Sequence, residues 1–169
     1  MILIRPEVGD FDSTGDSGQV GGAIEEYQKT LALNPNFAPA HLMLGMVYEQ
    51  KGMIDRAVAE YLRAGQLFGD SPENVNALKQ AFETGGERGY WEKALQQSLD
   101  AKQRHQGSSV EIAGIYARLG QPEQALAWLE KACEERDNNV LDLKVRPLFR
   151  SLWQEPRFKA VLKKVGLEK

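Results

Sequence analysis

Apolar residues recur at intervals of three and four along most of this chain, the spacing of one helix face rather than the alternation of a strand. Three stretches align on that spacing: APAHLMLGMVYEQKGMIDRAVAEYLRAGQL from Ala38, VNALKQAFETGGERGYWEKALQQSLDAKQR from Val75, and QGSSVEIAGIYARLGQPEQALAWLEKACEE from Gln106. In the first, Leu44, Gly45, Tyr48, Gly52, Ala57, Tyr61 and Ala64 stand at positions 7, 8, 11, 15, 20, 24 and 27. Ile112, Ala113, Tyr116, Gly120, Ala125, Leu129 and Ala132 hold the same positions in the third. The middle stretch keeps Ala94, Ser98 and Ala101, and an earlier fragment, GGAIEEYQKTLALNPNF, keeps Ala23, Tyr27 and Pro35. Small residues at these places let two helix axes approach, and the large ones fill the gaps between neighbouring hairpins. Gly52 and Gly120 sit where the chain reverses and a positive φ is needed. Asn34-Pro35 closes one helix pair before the next begins.

The middle repeat is irregular. Ala57 and Ala94 are 37 residues apart, Ala94 and Ala125 only 31, and Gly85, Gly86 and Gly89 mark the distorted turn. Its helices are predicted over 72–84, opened by Ser71 and Pro72, and over 89–104. Both ends of the chain leave the pattern. The lead EVGDFDSTGDSGQ is rich in Gly and Asp, which predicts a flexible or irregular segment over 1–20 ahead of a helix over 21–33. After Arg136, VLDLKVRPLFRSLWQEPRFKAVLKKVGL predicts two short helices broken at Pro147 and Pro156. In the last of them Phe158, Val161, Leu162 and Val165 form one stripe, the pattern of a helix that caps a repeat array over 138–169.

These residues resemble the tetratricopeptide repeat, a 34-residue helix–turn–helix unit. The resemblance covers about 21–135, with a half repeat at 21–36 and repeats near 38–71, 72–105 and 106–137. It implies an all-α, right-handed helix–turn–helix solenoid with a C-terminal helical cap, and a module that binds another protein or peptide. The run from GGERGYWEKAL to LKVRPLFRSLWQEPRFKAVLKKVGL is further similar to the C-terminal repeat region of multidomain bacterial regulators, which implies a regulatory interaction module.

Composition narrows the chemistry. Of 169 residues, 42% are hydrophobic and 27% charged, and the net charge of −3 speaks against a general nucleic-acid binder. No apolar run approaches the roughly 20 residues that span a bilayer, and MILIRPEVG does not read as a secretory signal. One cysteine, Cys133, and two histidines, His41 and His105, cannot make a disulfide framework or a histidine-built metal centre. A reduced, cytoplasmic protein without cofactor is expected. Asp10, Asp12 and Gly15 have the spacing that opens a calcium loop, but Gly21 stands where its closing Glu is required. GGERG lacks the preceding strand and the Lys-Ser/Thr of a phosphate loop. Glu25-Glu26 and Glu134-Glu135 are adjacent on helices, so each pair splays by about 100° and reads as solvated surface rather than an acid/base pair. Trp91, Trp128 and Trp153 are expected in packing seams. No catalytic set emerges, and no enzyme activity is expected.

What remains is a surface. In the tetratricopeptide family the first helix of each pair lines a concave groove, and the matching positions here are Leu42, Met46, Glu49 and Gln50, then Asn76, Lys79, Glu83 and Glu87, then Val110, Gly114, Ala117 and Arg118. An amphipathic helix or extended peptide with one or two apolar anchors would suit this mixed lining. Family members that clamp a terminal carboxylate carry Lys and Asn at such positions, and only Lys79 fits. The chain is acidic at its front and basic at its back, with Lys144, Arg146, Arg150, Arg157, Lys159, Lys163 and Lys164 beyond residue 140. A homodimer formed through Ile24, Tyr27 and Leu31 of the uncovered helix 21–33, or through the basic tail, is the alternative use of the surface.

Overall fold

The computed structural model describes residues 17–167, and side chains from residue 21. Among them there is no strand. The chain divides between Ser71 and Pro72 into two compact units.

The first unit holds α1 (Ser17–Leu33), α2 (Ala38–Gln50) and α3 (Ile54–Phe68). The lead 1–20 that the sequence gives as irregular is already helical from Ser17; the remainder of it lies outside the described residues. Pro39 sits in the first turn of α2, where its missing N–H costs nothing. Gly52, at φ +69°, turns the chain into α3, and Gly69, at φ +96°, ends α3 in a left-handed cap. The α2–α3 hairpin closes on Gly45: a Cβ there would stand 2.7 Å from two ring carbons of Tyr61 and 3.2 Å from the Ala57 carbonyl oxygen. Polar ties frame this seam. The Tyr61 hydroxyl donates to the Glu49 carboxylate. Both ring nitrogens of His41 meet oxygens, Nδ1 a Glu60 carboxylate at 2.6 Å and Nε2 the Pro35 carbonyl at 3.0 Å. α1 lies on α2, with Gln28 donating to the Tyr48 hydroxyl at 3.2 Å.

The second unit holds α4 (Pro72–Gln103), α5 (Ser109–Arg118), α6 (Pro122–Glu134), two 3-10 segments (Asn138–Val145 and Pro147–Leu152) and α7 (Pro156–Lys164). The distorted middle repeat is one helical stretch broken at a single residue, Gly86, whose φ of +60° and ψ of −151° are not helical. The break is a reversal. Gly89 lies against the Ala81 carbonyl and Gln97 donates to the Asn74 carbonyl at 3.0 Å, so the two arms run antiparallel. The α5–α6 hairpin repeats the α2–α3 turn, with Gly120 again at φ +69°. Its core joins Val110, Ala113, Ala125, Leu126, Leu129 and Ala132 to Val140, Leu143, Phe149, Leu152, Phe158, Val161 and Leu162 from the tail. Pro147 and Pro156 open elements rather than break them. The first of the two short helices expected after Arg136 is the pair of 3-10 segments; the second is α7, which buries Phe158, Val161 and Leu162 of its predicted stripe, while Val165 caps its end and is half-buried. Arg157 fixes α7 to α6, forking Glu130 through Nε and Nη2 at 2.8 Å each and reaching Glu123 at 2.9 Å.

Candidate functional site

The groove positions of α2 lie to one side of its hairpin seam. Because Gly45 and Tyr48 turn inward, Leu42 and Met46 are left half-buried on the outer side, with Gln50 exposed one turn further on. Met43, outside the groove positions, is half-buried beside them. Glu49 is bound to Tyr61 rather than free for a ligand. In the second unit Asn76, Lys79, Glu83 and Glu87 are all exposed, and Lys79 stands 3.8 Å from Glu83.

The last repeat corrects the sequence expectation. Val110 is 0% exposed, and Gly114 is buried beneath the 3-10 segment Pro147–Leu152. A Cβ at Gly114 would stand 2.9 Å from Leu148 Cδ2 and 3.9 Å from the Phe149 ring. The tail thus occupies the face of α5 that repeat register assigns to a ligand. Ala117 is half-buried against the same core. Arg118 is half-buried with its guanidinium 4.3 Å from the centroid of Trp91, and Trp91 in turn meets Tyr90 edge-on at 4.8 Å. Trp91 is buried, while Trp128 and Trp153 are partly buried against the core. Among the described residues, Trp153 Nε1 is the one buried side-chain nitrogen or oxygen without a hydrogen-bond partner.

The residues expected to serve self-association stay on one side of α1, all half-buried. Gly21, with the Lys51 ammonium 3.9 Å from where its Cβ would be, and Gln28, bonded to Tyr48, mark the stripe of α1 that meets α2. Ile24, Tyr27 and Leu31, spaced i, i+3 and i+7, share one helical face that borders this stripe.

The titratable groups serve structure. Cys133 is half-buried, and burial pushes its thiol above the ordinary range despite Lys164 nearby, the opposite of an activated nucleophile. Among the described residues no three His, Cys, Asp or Glu side chains come together as a metal site, and no helix is long and apolar enough to cross a membrane. Glu135 is not merely solvated. Lys102 of α4 donates to it at 2.7 Å and the buried Ser109 of α5 at 2.5 Å, and both bonds hold its carboxyl below the usual range.

Asp137 closes the N-terminus of α5. It accepts from the Ser108 hydroxyl at 2.5 Å and from the Val110 amide at 3.4 Å, while Ser108 Oγ accepts from the Val110 and Glu111 amides. Burial raises the Asp137 carboxyl, but the bonds from Ser108, Val110 and Asn139 together outweigh it and leave the group below the ordinary aspartate value. A depressed folded-state pKa gives stability that is present above the unfolded value of about 4 and is lost as pH falls through the folded one. Asp137→Asn is therefore expected to cost about 1 kcal/mol at pH 7, the worth of a helix cap, and to flatten the acid limb of stability below pH 4. Urea midpoints followed by tryptophan fluorescence from pH 7 to 2 check this; parallel acid limbs in wild type and variant would refute it.

Helix–turn–helix hairpins with small residues at the crossings and left-handed turn glycines define the class, the helical repeat proteins. A TPR repeat family model matches residues 16–52, and a Tetratricopeptide repeat model matches 38–67 and 108–139. The chain belongs to the tetratricopeptide repeat family. The matched residues leave out 68–107, where α4 carries its distorted turn. No curated protein and no solved structure matches the chain.

Proposed function

We propose that this chain is a non-catalytic interaction module that presents the Leu42–Met46 strip of α2, with Gln50 at its end, to a peptide or helix of a partner protein. The observation that carries the reading is the strip itself: two large flexible apolar side chains at i and i+4, half-exposed on a helix whose Gly45 is committed to the neighbouring hairpin seam. Tetratricopeptide repeats generally mediate protein–protein interaction, which supports the same use. Asn76, Lys79 and Glu83 offer a second, polar strip on the first arm of α4 in the other unit, suited to orienting a peptide by hydrogen bonds, while Glu87 lies past the Gly86 break. With Val110 and Gly114 covered, the last repeat serves to hold the tail. The sequence resemblance to repeat regions of bacterial regulators supports a role in bacterial regulation, in the cytoplasm, without nucleic acid or membrane as the target.

The test is capture from lysate with wild type beside a Leu42→Arg, Met46→Glu double variant, followed by titration of the purified captured protein. Two charges placed on an apolar contact are expected to weaken that binding at least tenfold, while circular dichroism stays unchanged. Equal affinity for both proteins would remove the strip from the interface. Solution mass across a concentration series addresses the alternative: a dimer that dissociates in Tyr27→Arg or at high salt would favour self-association through α1 or the basic tail.

A further inference from the structure

The repeat register pairs α2 with α5. Leu42 and Met46 stand 68 residues, two repeat lengths, before Val110 and Gly114. Both hairpins turn at a glycine of φ +69°, Gly52 and Gly120, so the two pairs of positions hold the same place on their helices. On α5 that place is filled by the chain itself. The 3-10 segment Pro147–Leu152 lies there, opened by the extended Arg146 and by Pro147. Its Phe149 and Leu152, three residues apart on one edge of a 3-10 turn, are 0% and 2% exposed, and Leu148 Cδ2 lies over Gly114. Arg150 and Ser151 between them are exposed. The middle repeat has Lys79 and Glu83 in this register, an exposed ion pair at 3.8 Å that offers no apolar seat. Leu42 and Met46 of α2 form a second apolar seat of the α5 kind, and they are half-exposed.

Resting on the reading of the α2 strip as a ligand surface, we propose that its ligand is a partner segment built like Pro147–Leu152 but with a small residue after the proline: Pro-Ala-Phe-x-x-Leu in one tight turn, or glycine for the alanine. The proline, the aromatic ring and the leucine follow from what α5 accepts. The small residue follows from size. A lone methyl group at Gly114 would come within 2.9 Å of Leu148 Cδ2, the tip of a flexible side chain that can turn away. Met46 brings a whole side chain to the same place, about the volume of the leucine itself. Glycine facing leucine on α5 thus becomes methionine facing alanine on α2, with the summed volume kept. Met46 is the residue that sets this choice.

A second copy does not supply this segment. Its own Pro147–Leu152 is built into its second unit, where the Phe149 and Phe158 ring centroids are 6.2 Å apart and Phe149 is fully enclosed. It also carries Leu148, the size that Met46 refuses. A segment from another protein lacks the tail's covalent tether and its Phe149–Phe158 contact, which makes the complex a reversible one.

The probe is a fluorescently labelled peptide of residues 146–155 carrying Leu148→Ala, crosslinked between its exposed positions 151 and 154 and titrated with the full chain. Saturable binding is expected, about tenfold tighter than that of the same peptide with Leu148 kept. The Met46→Gly protein should reverse that order, and Met46→Ala, which keeps the helix propensity of α2, should narrow the gap. Phe149→Ala in the peptide, or Leu42→Arg with Met46→Glu in the protein, should each weaken binding by about tenfold or more, with circular dichroism showing folded protein throughout. No saturable binding, an unchanged order in both Met46 variants, or equal binding by the charged double variant (the mark of a peptide that has displaced the tail from α5) would each overturn the proposal. A dimer of the free protein that the double variant abolishes would give the strip to a second copy and overturn it too. A captured partner that needs Leu42 and Met46, with neither peptide binding, would leave the strip a ligand surface and remove the tight-turn ligand alone.

Discussion

Phe149→Ala is expected to lower the unfolding free energy of the second unit by about 3–5 kcal/mol, the cost of emptying a fully enclosed phenylalanine site. Phe149 is 0% exposed, its ring lies 6.2 Å from that of Phe158 at a 40° tilt, and it reaches the backbone of α5 at Gly114. It therefore ties the 3-10 segment, α5 and α7 into one core. Trp91, Trp128 and Trp153 all follow Pro72, so tryptophan fluorescence in a urea titration reports this unit alone. A second consequence is local. With the ring removed, the cover over Val110 and Gly114 loosens, and hydrogen exchange of the α5 amides should accelerate more than that of α6. A loss below about 1 kcal/mol would mean that the tail is not an integral part of the core.

The glycines of the α4 reversal are expected to respond with opposite signs. A Cβ on Gly89 would stand 2.4 Å from the carbonyl oxygen of Ala81, a backbone atom that cannot step aside unless the two arms part. Gly89→Ala should cost about 1–3 kcal/mol, the usual penalty of forcing a group into a filled contact. A Cβ on Gly85 meets nothing within 4 Å, and its φ is not in the left-handed range. Gly85→Ala should add up to about 1 kcal/mol, because alanine loses less backbone entropy on entering a helix. The same urea titration measures both. Equal effects would show that the reversal is not set by close approach at Gly89.

These two results bear on what the residues could announce in advance. Gly85, Gly86 and Gly89 mark an irregular turn in the sequence, yet composition alone gives no way to tell the hinge from the crossing. Gly86 is the hinge because it alone among the three takes a positive φ; Gly89 is the crossing because Ala81 lies against it.

The sequence by itself determined the all-α class, the hairpin repeats, the turn glycines at Gly52 and Gly120, and the stripe Phe158–Val161–Leu162. These follow from helical periodicity, side-chain size and backbone freedom, which act over a few residues and are written at fixed spacing. Only the tertiary structure decided which predicted ligand positions are open. Val110 and Gly114 have the register of groove residues, but Leu148 and Phe149 cover them. Glu135 has the look of a surface carboxylate, but Lys102 and Ser109 converge on it. The reason is the same in each case. Which distant segment lies against a helix face depends on how the chain minimises its total exposed apolar area, a property of the whole unit that no local spacing encodes.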